Sequence, residues 1–414
     1  MSDVRRTRIL FVAEGVTLAH VTRPLLLARA LDTDLFEPHF ACSPNWTRSL
    51  TNLPAQFWPI ESIGSSEFLT ALSKGRPLYS RRTLHSYVKA DLQLLETIRP
   101  DLVVGDFRLS LSVSTVLCGV PYATITNAYW SEYYHPIRYP IPELPITRIL
   151  GAPLPEAAFQ HIYRWIFAYH MRPLNSVRKH YGMQPFAHLS QTYTNADHVL
   201  YADIPGLFPG MNLPKTHHYL GPLSWAPEKD MPDGWSSQTT DKPLVYVNLG
   251  SSGAIDVLST VLEALAPLPI YIVAATAGRC QPAVRSANMW ITDFLPGDRI
   301  AKQATVILCN GGSPSVYQAL QEGTPVIGIP SNMDQHLMMQ AIVRKGAGLL
   351  IRSEYVRRST VQEAILEILK NDAYRRKALR LQEEIAQYSA TKNFAALVSK
   401  LAKHRPQESR DAVQ

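Results

Sequence analysis

The sequence predicts an α/β protein built from two doubly wound parallel sheets, on three observations. Short apolar runs alternate with helical patterns over nearly the whole chain, which is typical of β-α-β units and of the parallel sheets that they form. These units fall into two series, separated by a stretch rich in Pro, Gly, Ser and Asp that has no periodicity. With 414 residues, of which 46% are hydrophobic and 18% are charged, the chain can bury two or three cores and is too apolar to be disordered.

The first series predicts a Rossmann-like domain over residues 1–215. Each strand candidate ends in a turn or a polar residue, as strands of parallel sheets commonly do. The candidates are Arg8–Ala13, Glu37–Cys42, Leu102–Asp106, Tyr122–Asn127 and Val199–Asp203.

The second series predicts a similar domain over residues 243–385, after an interdomain linker at 216–242. A C-terminal helix over 386–403 can pack back on the first domain, and the polar tail 404–414 is expected to fray. Ligands of such sheets bind at the carboxyl ends of the strands, so a cleft between two facing sheets is where chemistry is expected. The strand candidates are Leu244–Leu249, Ile270–Ala275, Trp290–Phe294, Val306–Cys309 and Val326–Pro330.

Composition and charge exclude several classes of protein. The net charge of +7 comes from scattered Lys and Arg, which suits phosphates or an anionic surface and excludes a histone-like arm. Four cysteines without CxxC or zinc spacing exclude a disulfide scaffold and a structural zinc site. Glu14 interrupts the first apolar run, and no apolar run approaches the ~18 residues that span a bilayer. We therefore expect a cytoplasmic protein without a nucleic-acid partner, which at most touches the inner face of the membrane.

The most informative segment begins where the apolar run Val306–Cys309 ends at Asn310 and two glycines. Ser313 is expected to cap a helix whose first residue is Pro314. Backbone N–H groups at the start of this helix, together with its dipole, would bind an anion, and the side chains of Asn310 and Ser315 add neutral donors. An ordinary strand–turn–helix corner uses the same residue types. The residues that follow therefore have to distinguish an anion site from a structural turn.

That continuation resembles the donor-binding signature of the GT-B glycosyltransferases of the UDP-glycosyltransferase family, the YjiC-like, plant and antibiotic group. The resemblance is loose over nearly the whole chain and close over this one segment. It implies two Rossmann-like domains that face each other across a cleft, a UDP- or dTDP-sugar bound by the second domain without a metal, and an acceptor bound by the first. The positions in register are Gly311, Gly312, Ser315, Gly323, Pro325, Pro330, Asp334 and Gln335.

The resemblance also assigns roles to the donor-side residues. The diphosphate would lie at Asn310, Gly311, Gly312, Ser313 and Ser315, beside Ser251 and Ser252, and the sugar hydroxyls would bind Asp334 and Gln335. Phe294 would stack on the base, whose edge the backbone of Leu295 would read. Core packing is the alternative for Phe294, and capping of the following helix is the alternative for Asp334.

Two positions depart from the family pattern. The histidine that would contact the phosphates is Asn310 here, which carries no charge. The glutamate that would hold the ribose hydroxyls is Gln318, a weaker acceptor. Both changes leave nucleotide-sugar binding plausible.

In the first domain, the resemblance makes His20 the base that takes the proton of the acceptor. The histidine follows the first strand candidate and precedes a helix expected over Pro24–Leu31, with Thr22 as its cap. A neutral imidazole can accept a hydroxyl proton, and it does so best when a carboxylate orients it. Asp106 occupies the position of the family's partner aspartate, although Arg108 could pair with it instead. Asp32-Thr33-Asp34 resembles a metal motif, but a solvated turn accounts for it, so no metal is expected.

The stretch from Asn127 to Pro145 is dense in Tyr, Trp and Pro and lies on the expected acceptor side. Aromatic side chains such as Tyr129, Trp130 and Tyr133 offer flat apolar surfaces that suit a ring system or a lipid acceptor. A loop packed on its own domain is the alternative.

Together these residues predict an inverting hexosyltransferase that moves a sugar from a UDP- or dTDP-sugar to an acceptor hydroxyl by one direct displacement. Three alternatives stay open. A nucleotide-sugar epimerase would need catalytic carboxylates in the cleft. A non-catalytic, activator-like subunit would keep the fold and lose the chemistry, and a lipid-linked transferase would differ only in its acceptor.

Overall fold

The computed structural model describes residues 5–50, 54, 56–227, 230–231, 241–250 and 255–403. A seven-stranded parallel sheet forms the core of the first domain, with the strand order β3-β2-β1-β4-β5-β6-β7. Its strands are β1 (Thr7–Ala13), β2 (Phe36–Cys42), β3 (Gln56–Pro59), β4 (Leu102–Asp106), β5 (Tyr122–Thr126), β6 (His198–Tyr201) and β7 (His217–Tyr219).

A six-stranded parallel sheet forms the core of the second domain, with the order β10-β9-β8-β11-β12-β13. The two sheets confirm the predicted α/β class, and their strand orders are doubly wound. The strands are β8 (Leu244–Asn248), β9 (Tyr271–Ala275), β10 (Met289–Thr292), β11 (Val306–Cys309), β12 (Val326–Gly328) and β13 (Gly348–Leu350).

Fourteen α-helices of the described residues cover and connect the two sheets. Those that precede β8 are α1 (Leu18–Arg29), α2 (Ser65–Ser73), α3 (Arg81–Ile98), α4 (Leu111–Cys118), α5 (Pro145–Leu150), α6 (Pro153–His180) and α7 (Gln191–Thr194). Those that follow it are α8 (Leu258–Leu265), α9 (Gly297–Ala301), α10 (Ser313–Gln321), α11 (Met333–Lys345), α12 (Arg358–Lys370), α13 (Ala373–Ile385) and α14 (Ala390–Lys403). None of the helices so described combines the length and the apolarity needed to cross a bilayer.

Three short strands were not predicted. β3 and β13 are outermost in their sheets and have no long apolar run, so the sequence signal for a strand is weak. β7 lies inside the expected linker 216–242, where it adds an outermost strand to the first sheet. The polar tail 404–414 lies outside the described residues.

The ends of three helices differ from the predictions. Thr17 occupies the N-cap position of α1, without a side-chain capping hydrogen bond; the helix begins at Leu18 and contains Pro24, so Thr22 is not its cap. Gly312 caps α10, which makes Ser313 rather than Pro314 its first residue. Asn332 caps α11 by accepting a hydrogen bond from the backbone of Gln335, so Asp334 does not serve as the cap.

The hydrophobic cores connect the domains. One cluster joins Tyr201 and Phe208 of the first domain to Tyr317 and Leu320 of α10. The C-terminal helix α14 packs on the first domain, where the rings of Phe11 and Phe394 lie 5.8 Å apart. The chain therefore passes from the first domain to the second and returns to the first through α14. These contacts hold the two sheets on opposite sides of one cleft.

Candidate active site

A cavity of about 670 Å³ lies between the domains, at the carboxyl ends of the strands. In the first sheet the strand order reverses between β1 and β4, and in the second it reverses between β8 and β11. Such switch points form crevices into which the following loops project. The cavity brings together seven of the predicted site residues, His20, Asp106, Trp130, Gly312, Ser313, Asp334 and Gln335.

His20 lies in the first turn of α1 and contacts Asp106 at the end of β4. Its Nδ1 is 2.7 Å from Oδ1 of Asp106. Nδ1 is also 3.0 Å from Nη2 of Arg23. An ionised carboxylate can only accept, so a hydrogen bond from His20 to Asp106 requires the proton on Nδ1 and leaves Nε2 as the basic nitrogen. The imidazole also stacks on the ring of Phe107, with centroids 4.4 Å apart. The contacts with Asp106 and Phe107 fix the orientation of the imidazole.

Arg23 holds the same carboxylate from the next turn of α1. Its Nε donates to Oδ2 of Asp106 and its Nη2 to Oδ1, both at 2.7 Å, while Nη1 donates to Asn127 at 2.9 Å. Burial disfavours the charged guanidinium, but Asp106 offsets this and raises the pKa of Arg23 above its ordinary value. The His–Asp pair is therefore part of an Arg–Asp–His unit. Arg23 was missed because α1 was expected to begin after it, whereas an i, i+3 spacing within the helix places Arg23 beside His20.

Arg108 does not pair with Asp106, contrary to the alternative considered from the sequence. Its Nη1 is 3.0 Å from Oε2 of Glu14, and its Nε is 3.1 Å from Oδ1 of Asp91. The guanidinium carbon lies 3.6 Å above the ring of Tyr87. Phe107, with a φ of 60°, turns the chain between Asp106 and Arg108. Arg108 thereby joins the loop after β1 to α3, and Asp106 pairs with Arg23 instead.

The start of α10 forms the opposite wall of the cavity. The first N–H groups of a helix have no acceptor within the helix, and they carry its positive pole. Oδ1 of Asn310 accepts from the backbone N of Gly312 at 3.0 Å, which stabilises the glycine turn. Gly311 has a φ of 75°, and a Cβ there would lie 2.6 Å from Cγ of Met339. This tight turn leaves Ser313 at the cavity wall, whereas Ser315 lies two residues further into the helix and is not part of the cavity lining.

A buried polar cluster ties this wall to the first domain, and the sequence analysis gave it no role. Oδ2 of Asp203 accepts from the side-chain Nδ2 of Asn127 at 3.1 Å, and Oδ1 accepts from the hydroxyl of Tyr317 at 2.9 Å. Nδ2 of Asn127 also donates to Oγ of Ser313 at 3.1 Å. Burial raises the pKa of Asp203 to about 6, although its hydrogen bonds oppose this shift. The sequence signal for this cluster was a polar residue at the end of each of two strand candidates, Asn127 and Asp203.

Asp334 and Gln335 lie at the start of α11, facing the Arg–Asp–His unit across the cavity. Oδ1 of Asp334 accepts from the indole Nε1 of Trp130 at 2.8 Å. Gln335 is buried, and its Oε1 accepts from the backbone N of Ser331 at 2.9 Å. Gln335 therefore shapes the loop before α11, while Asp334 presents a carboxylate at the cavity wall.

The remaining donor-side predictions fall around this wall. Phe294 is 45% exposed, so the core-packing alternative is wrong, whereas the Leu295 side chain is buried. Gln318 lines a second cavity, of about 460 Å³, which Asp298 and Trp225 also border. Ser251 and Ser252 lie outside the described residues.

The three aromatic side chains expected at the acceptor have different surroundings. Trp130 borders the large cavity. Tyr129 is buried between the domains, 4.9 Å from the ring of Phe208, and the ring of Tyr133 packs 5.1 Å from that of His217 near β7. This placement supports an acceptor contact for Trp130 and gives none to Tyr129 or Tyr133.

Much of the cavity is an apolar extension into the first domain that the sequence analysis did not identify. It runs between α2 and α6, away from His20. A helix that is apolar on several faces gives no signal for which face lines a cavity. The apolar side chains that line the extension include Phe68, Leu72, Leu84, Phe159, Phe167 and Met171.

Solved structures share this architecture along nearly the whole chain. The spinosyn forosaminyltransferase SpnP superposes with a TM-score of 0.70, covering 97% of this chain and 100% of its own at 16% identity. The calicheamicin glycosyltransferase CalG4 gives a TM-score of 0.69, covering 97% and 100% at 17% identity. The spinosyn rhamnosyltransferase SpnG in complex with thymidine diphosphate gives 0.67, covering 96% and 100% at 17% identity. The architecture is therefore that of the GT-B glycosyltransferases, as the sequence predicted.

Sequence comparisons define the family more closely. Residues 259–401 match the C-terminal domain of erythromycin biosynthesis protein CIII-like proteins. A PGL/p-HBAD biosynthesis glycosyltransferase of Mycobacterium tuberculosis strain H37Ra is 47% identical, over 92% of this chain and 89% of its own. A PGL/p-HBAD biosynthesis rhamnosyltransferase of Mycobacterium bovis strain BCG is 46% identical, over 92% and 84%. The chain belongs to the GT-B glycosyltransferase family that includes these relatives, and it is a glycosyltransferase.

Proposed function

We propose that this enzyme transfers a hexose from a UDP- or dTDP-sugar to an acceptor hydroxyl, with inversion at the anomeric carbon and without a metal. The observation that carries the proposal is the 2.7 Å contact between Nδ1 of His20 and Asp106. The His20–Asp106 pair lies on one side of the cavity, and the start of α10 and Asp334 lie on the other. A base on one wall and an anion-binding helix start on the other suit a direct displacement.

In the proposed reaction, Nε2 of His20 takes the proton of the acceptor hydroxyl as its oxygen attacks the anomeric carbon. The bond from that carbon to the diphosphate breaks, and the electron pair leaves with the nucleoside diphosphate. Asp106 stabilises the imidazolium that forms. The positive pole of α10 and the N–H groups of its first turn stabilise the developing charge on the leaving group, in place of a metal.

The proposed donor site uses the wall of the second domain. The diphosphate would bind at Asn310–Ser313 and Ser315, next to Ser251 and Ser252, and the sugar hydroxyls would bind Asp334, oriented by the loop that Gln335 holds. Phe294 is exposed enough to stack on a base. Gln318 would contact the ribose only if the nucleotide reaches the second cavity, which it lines.

The proposed acceptor is an apolar or aromatic molecule with one hydroxyl near His20. The extension between α2 and α6 offers a largely apolar surface, which favours a lipid or ring system over a small polar acceptor. Relatives named for PGL/p-HBAD biosynthesis are consistent with such a class. The proposed place of action is the cytoplasm or the inner face of the membrane.

One observation favours a second candidate, a non-catalytic member of the family. A relative from Mycobacterium bovis strain BCG, 47% identical over 63% of this chain and 71% of its own, is named an inactive PGL/p-HBAD biosynthesis glycosyltransferase. Asn310 and Gln318 also depart from the family pattern. The Arg–Asp–His unit is complete here, and this supports the catalytic proposal.

The test is binding and turnover with EDTA present. UDP or dTDP should raise the melting temperature of the full chain, because a ligand that binds only the folded state stabilises it. Ser315→Trp should abolish this shift, whereas Ser66→Trp, at an exposed position of α2, should keep it. Product formation without metal and with an inverted anomeric centre would support the proposal. Binding without any transfer to phenolic or lipid acceptors would favour the non-catalytic candidate.

A further inference from the structure

The outer surface of α5 and α6 is unusually apolar for a protein surface. Several large apolar side chains there are strongly exposed, among them Trp165 at 78% and Ile149 at 80%. Contiguous apolar surface of this kind marks a site that another body covers. We call this surface the α5–α6 face and define it by Ile137, Ile146, Ile149, Leu154, Ile162 and Trp165.

The pattern along α6 extends this surface along one side of the helix. Leu154, Ala158, Ile162, Trp165 and Tyr169 are all exposed, and their spacing of three or four residues places them along one side of the helix. The other sides carry Phe159, Met171 and Leu174, which are buried against the domain. α6 is therefore apolar on its outer side as well as on the side that packs, which folding of the domain alone does not require.

The charged side chains around this surface are mainly positive. Arg138, Arg164, Arg172 and Lys179 are exposed, whereas the acidic Glu156 is half buried. Arg164 and Arg172 lie over the rings of Tyr163 and Tyr169, at 6.0 and 5.8 Å. Long basic side chains beside exposed Trp and aliphatic groups are the composition of surfaces that lie in the interface of an anionic bilayer.

We propose that the α5–α6 face docks on the surface of an anionic lipid bilayer. The apolar side chains enter the boundary between headgroups and acyl chains, and the flanking arginines contact lipid phosphates. A second copy of the chain fits this face less well. A two-fold interface would set two faces of the same positive charge against each other, and their repulsion opposes pairing.

The docked surface adjoins the active-site cavity. Ile146 and Tyr169 are exposed and also line the cavity, together with Ile166 and Phe167 from the inner side of α6. An apolar acceptor can therefore pass from the bilayer into the cavity without crossing water. This last step rests on the proposed function, whereas docking itself does not.

The experiment is sedimentation of the full chain with vesicles of phosphatidylcholine and phosphatidylglycerol, 3:1, and with vesicles of phosphatidylcholine alone. The wild type should bind the mixed vesicles, and less so as salt rises. The variant Ile149→Asp/Leu154→Asp/Trp165→Asp should bind them at least tenfold more weakly. The control Leu35→Asp/Val116→Asp/Met211→Asp changes three exposed apolar side chains elsewhere and should bind like the wild type.

Three results would overturn the proposal: no binding of the wild type to mixed vesicles, equal binding by both triple variants, or a wild-type dimer that the first variant abolishes. Stabilisation by nucleotide should be the same in all three proteins. A wild type that docks but transfers no sugar would refute the proposed function and leave docking intact, so the two failures are distinguishable.

Discussion

The indole Nε1 of Trp130 donates a 2.8 Å hydrogen bond to Oδ1 of Asp334, and this bond crosses from the first domain to the second. It joins the residue that borders the acceptor side to the carboxylate proposed for the sugar hydroxyls. A carboxylate has about four acceptor positions, so Asp334 can bind the indole and a sugar hydroxyl together. The bond therefore fixes the orientation of the carboxylate that we propose as a ligand of the sugar.

Trp130→Phe tests this orientation. The variant keeps the ring and loses the donor, and we expect the affinity for a nucleotide sugar to fall about threefold to tenfold, as supporting hydrogen bonds often contribute. Affinity for the nucleoside diphosphate alone should not change, and titration calorimetry measures both. Trp58→Phe, which removes an indole that donates to His39, is the control. Tighter binding of the sugar nucleotide by Trp130→Phe would mean that the indole competes with the sugar.

The variant Arg23→Lys tests whether Arg23 is needed to orient Asp106 and, through it, His20. Lysine keeps the charge but cannot make the two parallel hydrogen bonds to Asp106, so the carboxylate loses its fixed orientation. We expect turnover to fall about tenfold or more, since a hydrogen bond to a charged group contributes ~1.5–3 kcal/mol, with donor affinity unchanged. Arg6→Lys, at an exposed position, is the control. Normal turnover in Arg23→Lys would make Arg23 dispensable for the base.

The raised pKa of Asp203 predicts that the stability of the fold depends on pH. Because its pKa is raised to about 6, the folded protein binds this proton more tightly than the unfolded chain. The contribution of Asp203 is therefore most favourable below pH ~4 and is lost as pH rises through about 6. Its size is on the order of 3 kcal/mol, from about 2 pKa units.

Asp203→Asn removes this titration while keeping an oxygen for the donors of Asn127 and Ala128. The melting temperature of the wild type, relative to that of the variant, should fall between pH 4 and pH 7. Groups that both proteins share cancel in this comparison. A constant difference across that range would show that Asp203 does not titrate there.

Much of the fold and about half of the site could be predicted from the sequence. The central strands were identified because buried parallel strands form unbroken apolar runs, as in β4 and β11. The site residues that were identified follow these strands or lie in the glycine-rich segment, where sequence pattern and chemistry coincide. His20 and Asp106, predicted as partners, lie 2.7 Å apart in the structure.

The rest depended on contacts that a linear pattern does not carry. Arg23 was missed because Pro24 suggested a helix start, although the helix includes the proline. Asn127 and Tyr317 both donate to Asp203, and only tertiary packing brings these three residues together. The apolar extension of the cavity depends on which side of α6 faces inward, which periodicity does not reveal when several sides are apolar.

The central claim is that His20 is the general base and that Asp106 orients it. The most direct measurement is single-turnover transfer by His20→Ala, Asp106→Asn and the double variant, with donor affinity measured in parallel. His20→Ala should slow transfer by ~10²–10⁴-fold with nearly unchanged donor affinity, because the proposed donor-binding groups lie in the other domain. Asp106→Asn should also slow transfer, and its effect should not add to that of His20→Ala. Full activity of His20→Ala, or a loss of donor affinity as large as the loss of rate, would contradict the claim.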